Sequence, residues 1–246
     1  MQFNRTKIIA TVGPACNDKE TLKKLILAGV NIFRLNFSHG DHEGHKKVID
    51  YVNELNGELG THTGFLADLQ GPKLRIGTIK EGKVQLKEGA ELVMTTAECE
   101  GTAKKVHMTY EDFPKDVKAG DMVLVDDGKI QLEVIETDGK ENVKTKVIYG
   151  GPLSSRKGVN LPDTDLSIPS LTKKDIRDLE FALANQLHWV ALSFVRSADD
   201  IRELKGITNN PSVFTKIIAK IEKPEALKVI DEIIAESDVI MIARGD

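Results

Sequence analysis

The sequence predicts an α/β protein in which a parallel sheet with covering helices is interrupted by a small β domain. Three features say so. Over residues 6–69, apolar runs of strand length alternate with stretches of helical periodicity, the order that gives a parallel sheet. Over residues 71–165 the rhythm changes to short alternating runs punctuated by turn dipeptides. From 166 to 246 the strand–helix rhythm resumes. The six parallel-type strands outside the interruption suit either an open doubly wound sheet or most of an eight-stranded barrel.

The first strand is the apolar run Thr6 to Val12, stopped by Gly13-Pro14. Asn17 with Glu20 offers a capping box to a helix carrying Leu22, Leu25 and Ile26, and Gly29 closes it. A second strand, Val30 to Phe37, leads through Ser38-His39-Gly40-Asp41 into a helix with Val48, Tyr51, Val52, Leu55 and Leu59 on one face. Gly64 to Leu69 is the third strand. In the interruption, turns at Glu81-Gly82, Glu88-Gly89, Asp127-Gly128, Asp138-Gly139 and Gly150-Gly151 separate strands that include Val84–Leu86, Met122–Val125, Ile130–Ile135 and Val143–Ile148. Thr172 and Asp175 then cap a helix with Ile176, Leu179 and Leu183, followed by the strand His188 to Phe194, whose Trp189, Val190 and Leu192 read as core. Ser197 and Asp200 open the next helix, residues 213–222 form a strand, and Pro224 opens a helix bearing Leu227, Ile230 and Ile233. The last strand, from Asp238, ends in Arg244-Gly245-Asp246.

Bulk properties exclude several classes. With 40% hydrophobic and 29% charged residues in 246, the chain is globular, of one large or two moderate domains. A net charge of −4 with scattered lysines and arginines gives no footprint for nucleic acid, so any anion site is local. Cys16 and Cys99 form neither a disulfide framework nor a zinc motif, which fits a reducing compartment. The N-terminus lacks the apolar core of a signal peptide and no apolar run approaches a membrane span. The expectation is a cytoplasmic protein with no membrane partner, on which the sequons at Asn4 and Asn36 carry no weight.

In folds of this kind chemistry gathers at the C-terminal ends of the strands. There the sequence places Arg34 and Asn36, then Asp68, Ser193, Lys220 with Glu222, and Asp246. An isolated Lys-x-Glu reads as a surface ion pair, but residues two apart on a strand point the same way, and here the neighbouring strands bring further polar groups to the same rim. Two carboxylates beside a lysine and an arginine suit a hard divalent cation bridging to an oxyanion or phosphate, with Glu222 and Asp246 as ligands. Arg34, Arg75, Arg156, Lys157 and Lys220 are the cations available to phosphate, though neither a Walker loop nor a Gly-x-Gly-x-x-Gly fingerprint occurs. His39, His42 and His45 lack metalloprotease spacing and read as a capped, exposed first helical turn rather than a zinc site.

Gly-Val-Asn-Ile-Phe-Arg-Leu-Asn-Phe-Ser-His-Gly (29–40), Asp-Leu-Gln-Gly-Pro-Lys (68–73), Lys-Gly-Val-Asn-Leu-Pro (157–162), Lys-Ile-Glu (220–222) and Ala-Arg-Gly-Asp (243–246) resemble, in this order, the motifs of pyruvate kinase. The resemblance runs over essentially the whole chain. It implies an incomplete (β/α)8 TIM barrel of about six strands, residues 1–70 and 166–246, with a small β-barrel lid inserted at 71–165. It also implies phosphoryl transfer from phosphoenolpyruvate to ADP, giving pyruvate and ATP in glycolysis. Carried over by motif, Lys220 and Arg34 are catalytic, and Arg34 also contacts the phosphoryl group. Arg75 and Lys157 meet nucleotide phosphates, and Glu222 and Asp246 hold Mg²⁺ or Mn²⁺. Full-length members of the family are homo-oligomers, commonly tetramers.

Asn36, Ser38, Asp68 and the carbonyl of Leu69 resemble the family's monovalent-cation site. Many members have Glu where this chain has Lys73, and a tethered ammonium there can replace the charge of K⁺, so K⁺ independence is expected. The family continues past Arg-Gly-Asp with two more barrel strands and a regulatory domain. A six-stranded open barrel has two unpaired edges, so the chain alone is expected to be marginal or aggregation-prone. Two alternatives stand beside this reading: a catalytically silent fragment that binds phosphate compounds or a complementary chain, and a metal-dependent aldolase or lyase acting on pyruvate enolates. The latter shares the metal logic but leaves the inserted domain, Arg75 and Lys157 unexplained.

Overall fold

The computed structural model describes residues 5–162, 164, 167–208 and 215–243. The described residues divide into two compact units, one formed by residues 5–72 and 170–243, the other by residues 73–169. The first unit begins with β1 (Ile9–Thr11), α1 (Lys19–Leu27), β2 (Ile32–Asn36), α2 (His42–Leu59) and β3 (Gly64–Asp68). The second contains β4 (Lys83–Leu86), β5 (Glu91–Thr95), β6 (Lys105–His107), α3 (Phe113–Asp116), β7 (Met122–Val125), β8 (Ile130–Thr137), β9 (Asn142–Tyr149), β10 (Gly151–Ser154) and β11 (Val159–Asn160). The first then resumes with α4 (Lys173–Ala184), β12 (Trp189–Leu192), α5 (Ala198–Thr208), β13 (Lys216–Ile221), α6 (Pro224–Lys228), α7 (Ile230–Glu236) and β14 (Val239–Ile242).

Local chemistry sets the helix limits. The carboxylate of Asp18, in extended backbone, accepts the N–H of Thr21 and starts α1, one residue later than the Asn17–Glu20 box expected. Asp41 does the same for α2 through Gly44, and Gly60 ends that helix at φ 63°, where a side chain would be strained. The capping box of α4 forms as expected, Thr172 and Asp175 each bonding the other's backbone N–H. The helix expected from Pro224 breaks in two at Val229, whose N–H closes on Ala226 and whose φ of −127° is not helical. Its apolar residues therefore do not share a face: Leu227 is exposed and Ile233 fully buried.

In the first unit the strands pair in the order β1-β2-β3-β12-β13-β14, every neighbour parallel. That order never reverses, so the sheet has no switch point of the doubly wound kind; sequential parallel strands with intervening helices are the progression of a (β/α)8 barrel, here six strands of it. One face packs on the helices through Phe33, Leu35, Phe65, Val190, Leu192 and Ile217, which meet Leu22, Val52, Leu179 and Leu204. The opposite face carries a thinner apolar layer of Leu66, Ala191 and Ile218, flanked by Ile32, Trp189 and Met241. The end strands leave Ile9, Val239 and Ile242 exposed.

The second unit is a mixed sheet ordered β11-β7-β8-β9-β5-β6, with β4 and β10 paired antiparallel beside it. Residues 74–76 close it. Ile76 bridges to Met108 beyond β6 while Arg75 bridges to Gly158 before β11, and Val159 donates to the Leu74 carbonyl at 3.0 Å. The two edges are thus joined into a small barrel around Leu92, Met94, Phe113, Val123, Leu132 and Val143. Asp126, Asp127 and Gly128 take positive φ at the β7–β8 turn, and Gly139 at the β8–β9 turn, as the turn dipeptides require. Among the described residues no helix is long and apolar enough to cross a membrane.

Candidate functional site

Strand parity decides which residues meet. On β2, β3, β12 and β13 the residues facing the helices are apolar, and their alternates face the other way. Those alternates, followed toward the strand ends, are Arg34 and Asn36, Asp68, Ser193, and Lys220 and Glu222. Parallel register aligns Asn36 with Asp68 and Leu192 with Ala219, so neighbouring strands deliver these groups to one rim.

There they form a closed network. Lys220, only 7% exposed, lies 2.9 Å from the Ser193 hydroxyl, 2.9 Å from Glu222 Oε1 and 3.3 Å from Asp68 Oδ1. Arg34 donates from Nε to Asp68 Oδ2 at 2.7 Å and from a second nitrogen to the same oxygen, while its third nitrogen donates to Thr11 Oγ1 at 2.8 Å. Ser193 donates onward to the carbonyl of Leu69 at 2.7 Å. Glu222, its side chain 1% exposed, also accepts the N–H of Phe194 at 2.8 Å. Phe194 holds a left-handed φ of 57°, a conformation costly for a non-glycine residue and one that turns this N–H toward the carboxylate. Lys220 and the partly exposed Arg34 balance the two carboxylates, which is what makes burying Asp68, Glu222 and Lys220 tolerable.

The donor set can take a cation. Asp68 Oδ1 is buried and has the Lys220 ammonium at 3.3 Å but no hydrogen bond, and each Glu222 oxygen has one contact, so lone pairs remain on both carboxylates. Asp246, the other expected metal ligand, lies outside the described residues. Of the expected monovalent-cation ligands, Asn36 accepts the Ser38 N–H at 3.0 Å through its side-chain oxygen, and the Leu69 carbonyl accepts the Ser193 hydroxyl. Among the described residues no cluster of three or more His, Cys, Asp or Glu has metal-binding geometry.

Arg75, Lys157 and Lys73 belong to the second unit. Arg75 donates to the Arg156 carbonyl at 2.9 Å, Lys157 pairs with Asp126 at 2.8 Å, and Lys73 approaches Gly158, so the three share one neighbourhood there. Lys157 beside Asp126 holds that carboxyl below the usual range. The histidines after β2 are more engaged than an exposed turn implies. His45 packs on Phe37 at 4.6 Å, and burial lowers its affinity for a proton; His42 stacks on Phe181 and meets Asp178 at 2.7 Å. Thr11 was missed in the sequence, although the end-of-strand rule applied to β1 names it.

The chain matches the model of the pyruvate kinase barrel domain over residues 3–246. It is 46% identical over 243 residues to a pyruvate kinase of Agrobacterium vitis, covering 98% of this chain and 50% of that protein. To the pyruvate kinase of Corynebacterium efficiens it is 43% identical over 242 residues, covering 98% and 51%. A solved pyruvate kinase structure from Cryptosporidium parvum superposes with a TM-score of 0.90 at 36% identity, covering 98% of this chain and 51% of the other. The chain thus spans about half the length of the curated relatives it matches. On these matches and on the sequential parallel barrel with its inserted unit, the chain belongs to the pyruvate kinase family.

Proposed function

We propose that this chain provides the phosphoryl-transfer site of an enzyme that converts phosphoenolpyruvate and ADP to pyruvate and ATP, a glycolytic step. The observation that carries the reading is the buried Lys220, held by Ser193, Asp68 and Glu222 with Arg34 beside it. A triply tethered ammonium cannot wander with its flexible stem, so its charge is available at one place, as stabilisation of a migrating phosphoryl group demands. Arg34 spends two donors on Asp68 and one on Thr11, which fixes the plane of its guanidinium toward phosphate oxygens at the rim.

Glu222, with Asp246, is the proposed holder of Mg²⁺ or Mn²⁺. The ion, when bound, supplies Lewis-acid polarisation of the substrate's oxygens. Arg75 and Lys157 are proposed to meet nucleotide phosphates. Asn36, Ser38, Asp68 and the Leu69 carbonyl are proposed as the monovalent-cation set, with Lys73 supplying the charge K⁺ would bring. The test is a coupled assay of pyruvate formation by the intact protein, with and without ADP, in Na⁺, K⁺ or a bulky organic cation. ADP-dependent turnover in all three salts is expected. Turnover only with K⁺ would remove the role of Lys73, pyruvate formation without ADP would mean transfer of the phosphoryl group to water, and no pyruvate from phosphoenolpyruvate in any of the salts would overturn the kinase reading.

A further inference from the structure

Helix α4 contributes none of the site residues above, yet its first turn holds both loops that carry them. Lys174 donates from Nζ to the carbonyl of Phe37 at 2.6 Å. Phe37 stands between Asn36 and Ser38, and its own N–H is bonded to the Asp68 carbonyl at 3.0 Å. Both polar backbone groups of this one residue are therefore committed, one to the neighbouring site strand and one to α4. One position on, the fully buried Asp175 accepts the N–H of Gly71 at 3.0 Å while it completes the capping box with Thr172. Gly71 closes the turn that follows Asp68 and Leu69; at φ 67° it lies so near Ser193 and Phe194 that a Cβ would crowd both.

The ammonium of Lys174 is itself aimed. Asp178, one turn along α4 and buried, takes it at 2.5 Å, and the other oxygen of Asp178 takes His42 Nε2 at 2.7 Å. His42 is the first residue of α2, the helix that leaves the same loop. Loop, following helix and α4 are thus tied at one charged node. Lys173, beside Lys174 in sequence, is exposed.

We infer that Lys174 is a positioning residue for the phosphoryl-transfer site, fixing the Phe37 carbonyl and through it the placement of Asn36 and Ser38 beside Asp68. The inference rests on the reading of that site given above. Its physical basis is that a charged donor to a backbone carbonyl is stronger than a neutral one, and that a displacement of about 1 Å at a catalytic centre costs up to about a hundredfold in rate.

Lys174→Met, Lys174→Arg and Lys173→Met in the intact protein test it, with amide hydrogen exchange and steady-state kinetics as readouts. In Lys174→Met, exchange of residues 37–41 rises about tenfold while that of β12 and β13 holds. In the same variant kcat falls about tenfold, with KM for ADP within about twofold. Lys174→Arg, which keeps charge and donors, recovers most of both effects, and Lys173→Met resembles the parent. Unchanged exchange at 37–41, or a rise spread evenly over the unit, would overturn the inference. An intact protein with no kinase activity but with the local exchange effect of Lys174→Met would defeat the functional reading alone and leave the loop-fixing contact standing.

Discussion

Lys220 and Lys157 show how differently the two units treat charge. Lys220 lies among Ser193, Asp68 and Glu222, its side chain 9% exposed. Lys157, 36% exposed, has one carboxylate partner, Asp126, which it shares with Lys129. The first is a desolvated charge whose partners cannot be removed singly without leaving another buried and unpaired; the second is a surface pair contributing at most about 1 kcal/mol. The barrel unit holds its lysine inside a preorganised polar cluster, whereas the inserted unit keeps Lys157 at its surface, outside the apolar core of its closed sheet.

The sharpest way to break that contrast is Lys220→Met. Pyruvate formation is expected to fall by about a thousandfold or more as the tethered charge is lost. Urea denaturation should show a loss of about 3 kcal/mol, because Asp68 and Glu222 keep only Arg34 and backbone donors. Retained activity would remove Lys220 from its proposed role. Next in size, Leu132→Ala in the core of the inserted unit should cost about 2–5 kcal/mol. Exchange should quicken in β7 to β9 and not in β2, β3 and β13, and an equal effect in both units would mean their cores are not separate. Lys157→Ala should leave stability within about 1 kcal/mol and raise KM for ADP about tenfold. No change in KM would exclude it from nucleotide binding.

The smallest effect concerns pH. Burial opposes the charge of Asp116, but the N–H and hydroxyl of Ser167 and the Tyr110 hydroxyl donate to it and leave its carboxyl below the usual value. A depressed folded value stabilises above the unfolded value of about 3.9 and loses that contribution as pH falls through the folded one. The inserted unit should therefore soften below about pH 4, and Asp116→Asn should flatten that limb of its stability profile. An unchanged acid limb would show that other carboxylates set it.

Much of this was written along the chain because strands alternate. The spacing of Arg34 and Asn36, and of Lys220 and Glu222, placed each pair on one side of its strand, and Thr172 with Asp175 announced a helix start that formed. Where several caps compete over short distances, as at Asn17 and Asp18, geometry chose one residue later. The break at Val229 was hidden because continuous periodicity describes a continuous helix.

Strand type, strand order and the polarity of each strand end are local properties, carried by side-chain period and turn chemistry. Sequential pairing without reversal, which separates a barrel from a doubly wound sheet, is a property of neighbours that no single stretch encodes. The closure of the inserted sheet through residues 74–76 belongs to the same class, as does the meeting of Lys220 with Asp68 and Ser193. So does the reach of Lys174 to Phe37, 137 positions apart in sequence. Those contacts join residues far apart along the chain, and only the register of packed strands and the seat of α4 against them decide that they touch.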